Sequence, residues 1–150
     1  MRKVIAFALL TLLIVGFIWG NSMRSVEESS AQSAPVAENL RPVLDPTEKV
    51  EKPIFHDYIR KMAHVIEFFA LGLAVAGFGV SLGSYLKKRL ISMPVLMVLL
   101  VAVIDEYIQH FTGRGSLVTD VALDFVSALA GLLFVWVAVT VVLRIKNKNH

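Results

Sequence analysis

There is no cysteine in this chain of 150 residues, so disulfides, thiolate catalysis, Cys-ligated zinc and a lipoprotein box are all excluded. Charge is scarce as well, with Asp, Glu, Lys and Arg together making 18% of the residues. No phosphate-cradling glycine loop, dinucleotide fingerprint or serine-nucleophile motif occurs. Those gaps remove the commonest signatures of nucleotide-dependent and nucleophilic enzymes. Neither an internal repeat nor a heptad pattern is present. The net charge of +3 is small, and the placement of the basic residues favours a topological role over nucleic acid as a partner.

What is abundant is apolar: 56% of the residues, with a mean hydropathy of +0.68. Such a composition suits several membrane spans rather than a soluble core within a polar surface. A helix needs roughly 20 mostly apolar residues to cross a bilayer core of about 30 Å, and four stretches approach that length. The chain is therefore expected to be all-α, a single-domain integral membrane four-helix bundle, with helices at about 4–20, 58–82, 93–111 and 120–143. The first run is longer than the apolar part of a usual signal peptide, and Ile18-Trp19-Gly20 is a poor cleavage site, so it is expected to be retained.

Between the first two runs lies the only long hydrophilic segment, 21–57. Its serines and its Pro35, Pro42, Pro46 and Pro53 favour turns and extended pieces, with at most a short helix at 36–44. Asp57, Ser92 and Asp120 stand at the expected helix starts as N-caps. Gly72, Gly77 and Gly79 offer close approach between helices, as does the stripe Ser127, Ala128 and Gly131.

Basic residues set the expected orientation. Arg2 and Lys3, then Lys87, Lys88 and Arg89, then Arg144, Lys146 and Lys148 all fall on one side, with no acid among them. The positive-inside rule places both termini and the 83–91 loop in the cytoplasm, and an even number of spans agrees. The 21–57 loop and the turn carrying Arg114 then face outward.

That topology gathers the intramembrane polar groups at one depth. Lys61, His64 and Glu67 sit at the outer end of the second span. Asp105, Glu106 and Gln109 lie near the outer end of the third, and Asp120 and Asp124 at the start of the fourth. Ionisable groups at such depth are expensive and need a reason. Spacings of three and four put Lys61, His64 and Glu67 on one face, Asp105 with Gln109 on another, and Asp120 with Asp124 on a third. Three kinds of chemistry suit the set: a divalent cation on imidazole and carboxylates, acid–base hydrolysis, or recognition of a polar head group by Lys61 and Arg114. A polar network that only locks three helices together competes with all of them. One histidine among several carboxylates is compatible with a metal and equally with none, so the cofactor stays open.

Several of these motifs occur together elsewhere. Lys61-Met62-Ala63-His64-Val65-Ile66-Glu67-Phe68, then Asp105-Glu106-Tyr107-Ile108-Gln109-His110-Phe111, then Arg114 through Asp120 and Asp124, resemble the VanZ-like family of bacterial membrane proteins. Asn21-Ser22 and the serine-rich start of the hydrophilic segment are also typical of it. Two departures stand out: Asp124 where many members have Asn, and Ser127 where many have Gly. The resemblance implies a four-helix membrane protein of the bacterial plasma membrane. It also implies a shared site of Lys61, His64, Glu67, Asp105, Glu106, Gln109, Arg114, Asp120 and Asp124, and it brings in resistance to teicoplanin, a glycopeptide antibiotic.

The functional expectation is an outward-facing polar pocket that binds a cell-envelope component or an amphiphilic antibiotic. Its partners would be membrane lipid and a glycopeptide or lipid-linked wall precursor, with no nucleic acid. Lys61, Asp105, Gln109, Arg114, Asp120 and Asp124 would contact the ligand. The alternative is a membrane hydrolase or transferase on a lipid-linked envelope substrate, with His64, Glu67 and Glu106 as its catalytic groups.

Overall fold

A computed structural model describes residues 1–115 and 117–148. Ser116 of the expected turn carrying Arg114, and Asn149 and His150, lie outside the described residues. Among the described residues there are five helices and no strand: α1 (Arg2–Ser22), α2 (Val26–Leu44), α3 (Lys52–Leu86), α4 (Ser92–Phe111) and α5 (Val118–Lys148). All but α2 are long and apolar enough to cross a membrane. The chain is a multi-pass, all-helical membrane protein.

α3 is the hub and touches the other four helices. The pairs Lys61–Asp120, His64–Asp124 and Gly72–Ala128 advance together, so α3 and α5 run parallel. Asn21–Glu67 and Phe7–Gly77 advance oppositely, so α1 runs antiparallel to α3. The dry core lies where these helices cross. Ile18, Phe68, Leu71, Val75, Val98, Ala102, Ala128 and Leu132 are all fully buried there. Glycine makes the α3–α5 crossing possible. A Cβ on Gly72 would stand 2.1 Å from the Ala128 carbonyl oxygen, and one on Gly131 2.3 Å from that of Phe69. Neither backbone atom can give way.

The hydrophilic segment corrects the expectation of turns and extended pieces. α2 covers Val26–Leu44, with Pro35 and Pro42 inside it. Each internal proline costs a helix about 3 kcal/mol, so local preference alone would not select this conformation. A capping box starts the helix: Glu28 N donates to Ser25 Oγ at 3.2 Å, and Ser25 N donates to Glu28 Oε2 at 3.0 Å. Packing on α3 offsets the prolines, since Ala37, Phe55 and Ile59 form a small buried cluster. Arg41 lies over the Phe55 ring and donates to the Val50 carbonyl at 2.7 Å. Asp45 accepts from the backbone N–H groups of Lys49 and Val50 at 2.9 and 3.0 Å, which folds the turn back onto α3.

The three expected N-caps are also corrected. α3 begins before Asp57, with Pro53 in its first turn, and Asp57 instead pairs with Arg60 and Lys61. Ser92 is already helical and makes no capping bond. α5 starts before Asp120, which sits in the first turn. At the opposite end α3 stops where Lys87 takes a left-handed conformation with φ 53°. Lys88 N then donates to the Gly83 carbonyl at 3.0 Å, closing the helix in the manner of a left-handed cap.

Candidate functional site at the acidic end of the bundle

Where α1 and α4 end and α5 begins, the charged residues of the apolar helices converge. A cavity of about 280 Å³ opens there. Arg60, Lys61 and Arg114 line it as cations, Asp57, Glu106, Asp120 and Asp124 as acids, and His64 and Gln109 complete its polar wall. Lys61 Nζ lies 3.5 Å from Asp120 Oδ1 and 3.7 Å from Asp57 Oδ2, bridging α5 and its own helix. Lys61 is half exposed, so these ion pairs remain open to water.

Deeper in the bundle the groups are dry. Asp105 and Asp124 are 0% and 2% exposed. His64 Nδ1 lies between them, 3.8 Å from Asp105 Oδ2 and 3.7 Å from Asp124 Oδ2. Gln109, one turn along α4, donates from Nε2 to Asp105 Oδ2 at 2.8 Å. The crossing at Gly72 and Gly131 draws α3 and α5 together and holds His64 against Asp124. Ser127, buried on the same face of α5, returns its hydroxyl to the Leu123 carbonyl at 2.7 Å.

Two of the expected site residues do not line the cavity: Asp105 and Glu67. Asp105 lies behind His64. Glu67 turns toward α1, where its Oε1 accepts from Asn21 Nδ2 at 3.0 Å. Glu106 does reach the cavity, but its Oε1 accepts from the Leu117 backbone N–H at 2.7 Å, just before α5 begins. A carboxylate there is also well placed against the helix dipole. That bond ties the end of α4 to the start of α5.

Arg114 spans two tasks. Its guanidinium lines the cavity and also donates to the Asn21 carbonyl at 3.3 Å, at the last turn of α1. Thr112 Oγ1 donates to the neighbouring Ser22 carbonyl at 3.2 Å. The α4–α5 turn thus caps the end of α1. Burial, and then the neighbouring Arg60 charge, lower the Arg114 pKa from its usual value, and it remains a cation. Arg60 is itself paired with Asp57, and four acids stand against three cations in the cavity wall.

Asn21, Ser22, Thr112, Asp57 and Arg60 were not among the expected site residues. Asn21 and Ser22 had a signal in their position, as the first polar pair after an apolar run. Arg60 and Asp57 had one in their helical spacing from Lys61 and His64. Among the described residues, Ser22 Oγ, Asp105 Oδ1, Glu67 Oε2 and Glu106 Oε2 are buried without a hydrogen-bond partner. Buried polar atoms of this kind take their partners from water, a ligand or one another, as Ser22 and Asp105 are placed to do.

A family model described as VanZ/LLP1 matches residues 7–140. The chain belongs to the VanZ/LLP1 family. The matched region contains α2 whole, all of α3 and α4, and every cavity-lining residue. Neither the curated proteins nor the solved structures contain a match to this VanZ/LLP1 chain.

Proposed function

We propose that this VanZ/LLP1 protein is a single membrane domain of the bacterial plasma membrane, with both termini cytoplasmic, whose outward-facing cavity binds the anionic head of a cell-envelope amphiphile. The observation that carries this reading is the cavity's setting. Arg60, Lys61 and Arg114 surround about 280 Å³ at the end of an apolar bundle. A ligand could rest its charged head there while its tail lies along the lipid-facing helices. Lys61 and Arg114 supply the anion contacts, and Asp120 and Glu106 position them.

The orientation rests on the basic residues. Arg2 and Lys3 lie beside Ser84 and Tyr85 at the end of α3, and Lys87 to Arg89 lie beside Thr140 and Leu143 of α5. These clusters share one end of the bundle, the end opposite the cavity, as the positive-inside rule requires of a cytoplasmic face. Lipid-linked wall precursors and glycopeptide antibiotics such as teicoplanin are the partner classes that combine a polar head with an apolar tail. Resistance to such an antibiotic would follow from capture of the drug or of its target.

Purified protein in lipid nanodiscs, titrated with a polyprenyl phosphate, a lipid-linked wall precursor and teicoplanin, tests this directly. Micromolar binding of at least one, weakened tenfold or more by Arg114→Gln, is expected. Failure of all three to bind at millimolar concentration ends the proposal. A second reading, hydrolase or transferase action on the same substrate class, is favoured by one observation: His64 faces the cavity with buried Asp124 beside it and buried Asp105 behind it. It gives His64 the proton-transfer role and leaves Glu106, and Glu67 behind it, to tune the field. Turnover surviving His64→Ala would remove it.

A further inference from the structure

Beneath the cavity three helices bring one donor atom each to a common point. His64 from α3 offers an imidazole nitrogen, and Asp105 from α4 and Asp124 from α5 a carboxylate oxygen each, all within 4.8 Å of one another. The two distances from the imidazole nitrogen, 3.8 and 3.7 Å, exceed the ~2.7–3.2 Å of an N–H···O hydrogen bond. They lie near the ligand–ligand edge of about 3.4 Å expected of a tetrahedral site with metal–ligand bonds of ~2.0–2.2 Å. These two spacings are therefore long for a direct hydrogen bond and a few tenths of an ångström open for a shared cation, with every pair of donors within 4.8 Å.

Charge points the same way. Asp105 and Asp124 are almost wholly buried, and one imidazole, even protonated, cannot balance two carboxylates. Neither nearby cation pairs directly with these two aspartates: Lys61 pairs with Asp120 and Asp57, and Arg114 donates to the Asn21 carbonyl. Asp105 adds an independent sign. At 0% exposure it has the Ser22 hydroxyl close to its carboxylate, yet its Oδ1 makes no hydrogen bond of ordinary geometry among the described residues. A carboxylate contributing a donor atom to a cluster while its second oxygen stays orphaned is under-satisfied as a purely structural group.

We propose that His64, Asp105 and Asp124 bind a divalent transition-metal cation of the zinc class. The donor set selects that class, because an imidazole nitrogen suits zinc and its neighbours whereas magnesium and calcium prefer all-oxygen shells. Three protein donors leave a fourth position. His64 and Asp124 line the cavity, so that position faces it, as in zinc sites that keep one coordination place for water or a ligand oxygen. Gln109, donating to Asp105 Oδ2 at 2.8 Å, fixes the carboxylate in the way that outer-shell partners orient metal ligands. The ion site goes beyond the amphiphile proposal and does not depend on it, since its three donors are in place whatever the cavity takes.

The test uses untagged full-length protein in detergent, stripped with chelator and dialysed against Zn²⁺ alone, with bound metal measured by mass spectrometry. One Zn²⁺ per chain is expected, retained in millimolar Mg²⁺. His64→Gln and Asp124→Asn should each weaken binding at least tenfold, while His110→Ala, which changes an exposed histidine of α4, should leave it unaltered. The X-ray absorption spectrum of the wild-type protein gives a readout that needs no variant to fold. Imidazole scattering with nitrogen and oxygen donors at about 2.0–2.1 Å is expected. Absence of stoichiometric zinc, binding indifferent to both ligand variants, or a zinc shell without imidazole would each overturn the proposal.

Discussion

The two ends of the bundle handle charge by opposite rules. At the basic end Arg2, Lys3, Lys87, Lys88, Arg89, Arg144, Lys146 and Lys148 are all exposed, and water solvates each separately. At the acidic end Asp105, Glu106, Gln109 and Asp124 are buried, and their partners come mostly from other helices or from the turn between α4 and α5. The difference teaches where a single residue matters. A solvated lysine can be exchanged for another polar residue at little cost to folding stability, whereas a buried carboxylate is coupled to whatever balances it.

The largest expected break in that contrast is His64→Ala. It removes the imidazole between two buried aspartates, and loss of one partner from a buried charged pair costs about 3–5 kcal/mol. Replacing Lys88 and Arg89 together by Gln should stay within about 0.5 kcal/mol, as surface changes do. Reversible unfolding in mixed micelles measures both. Equal losses at the two ends would dissolve the distinction.

Glycine sharpens the comparison at an intermediate level. Gly131→Ala puts a methyl group onto the Phe69 carbonyl oxygen at the crossing that aligns His64 with Asp124, and overpacking of this kind costs about 1–3 kcal/mol. Gly16→Ala on α1, where a Cβ would meet nothing within 4 Å, should be neutral or slightly stabilising. Thermal unfolding of the two single variants checks the pair. A smaller effect, about 1.5 kcal/mol, is expected for Glu106→Ala, which removes a charge-assisted bond to the Leu117 N–H. Hydrogen exchange should localise that loss to the start of α5. A uniform rise in exchange along α4 and α5 would mean that Glu106 acts on the whole bundle instead.

Much of this was legible in the sequence, for reasons that differ by element. The four spans follow from apolar run length alone. That His64, Asp105 and Asp124 share a depth follows from counting residues from the span ends. Their meeting across three helices does not, because it depends on the angle and closeness of the α3–α5 crossing at Gly72 and Gly131. The same limit explains Glu67, whose helical spacing puts it near the face of His64 while the position of α1 draws it to Asn21. α2 was obscured by its prolines. Its capping box at Ser25 and Glu28 is visible in sequence, but the packing of Ala37 against Phe55 and Ile59 that offsets Pro35 and Pro42 is tertiary. Glu106 likewise reads as a free acid until the α4–α5 turn brings the Leu117 N–H beneath it.

Because the chain is cysteine-free, one labelling experiment reaches the central claim, an outward-facing cavity that holds an anionic head. Leu123→Cys places a thiol in the cavity wall and Ser84→Cys places one at the basic end. Intact cells are treated with a membrane-impermeant maleimide, with and without added polyprenyl phosphate. An outward cavity predicts rapid labelling at 123 that the amphiphile slows, and labelling at 84 only after the membrane is opened. Labelling at 84 but not at 123 in intact cells, or a rate at 123 indifferent to the amphiphile, would contradict it.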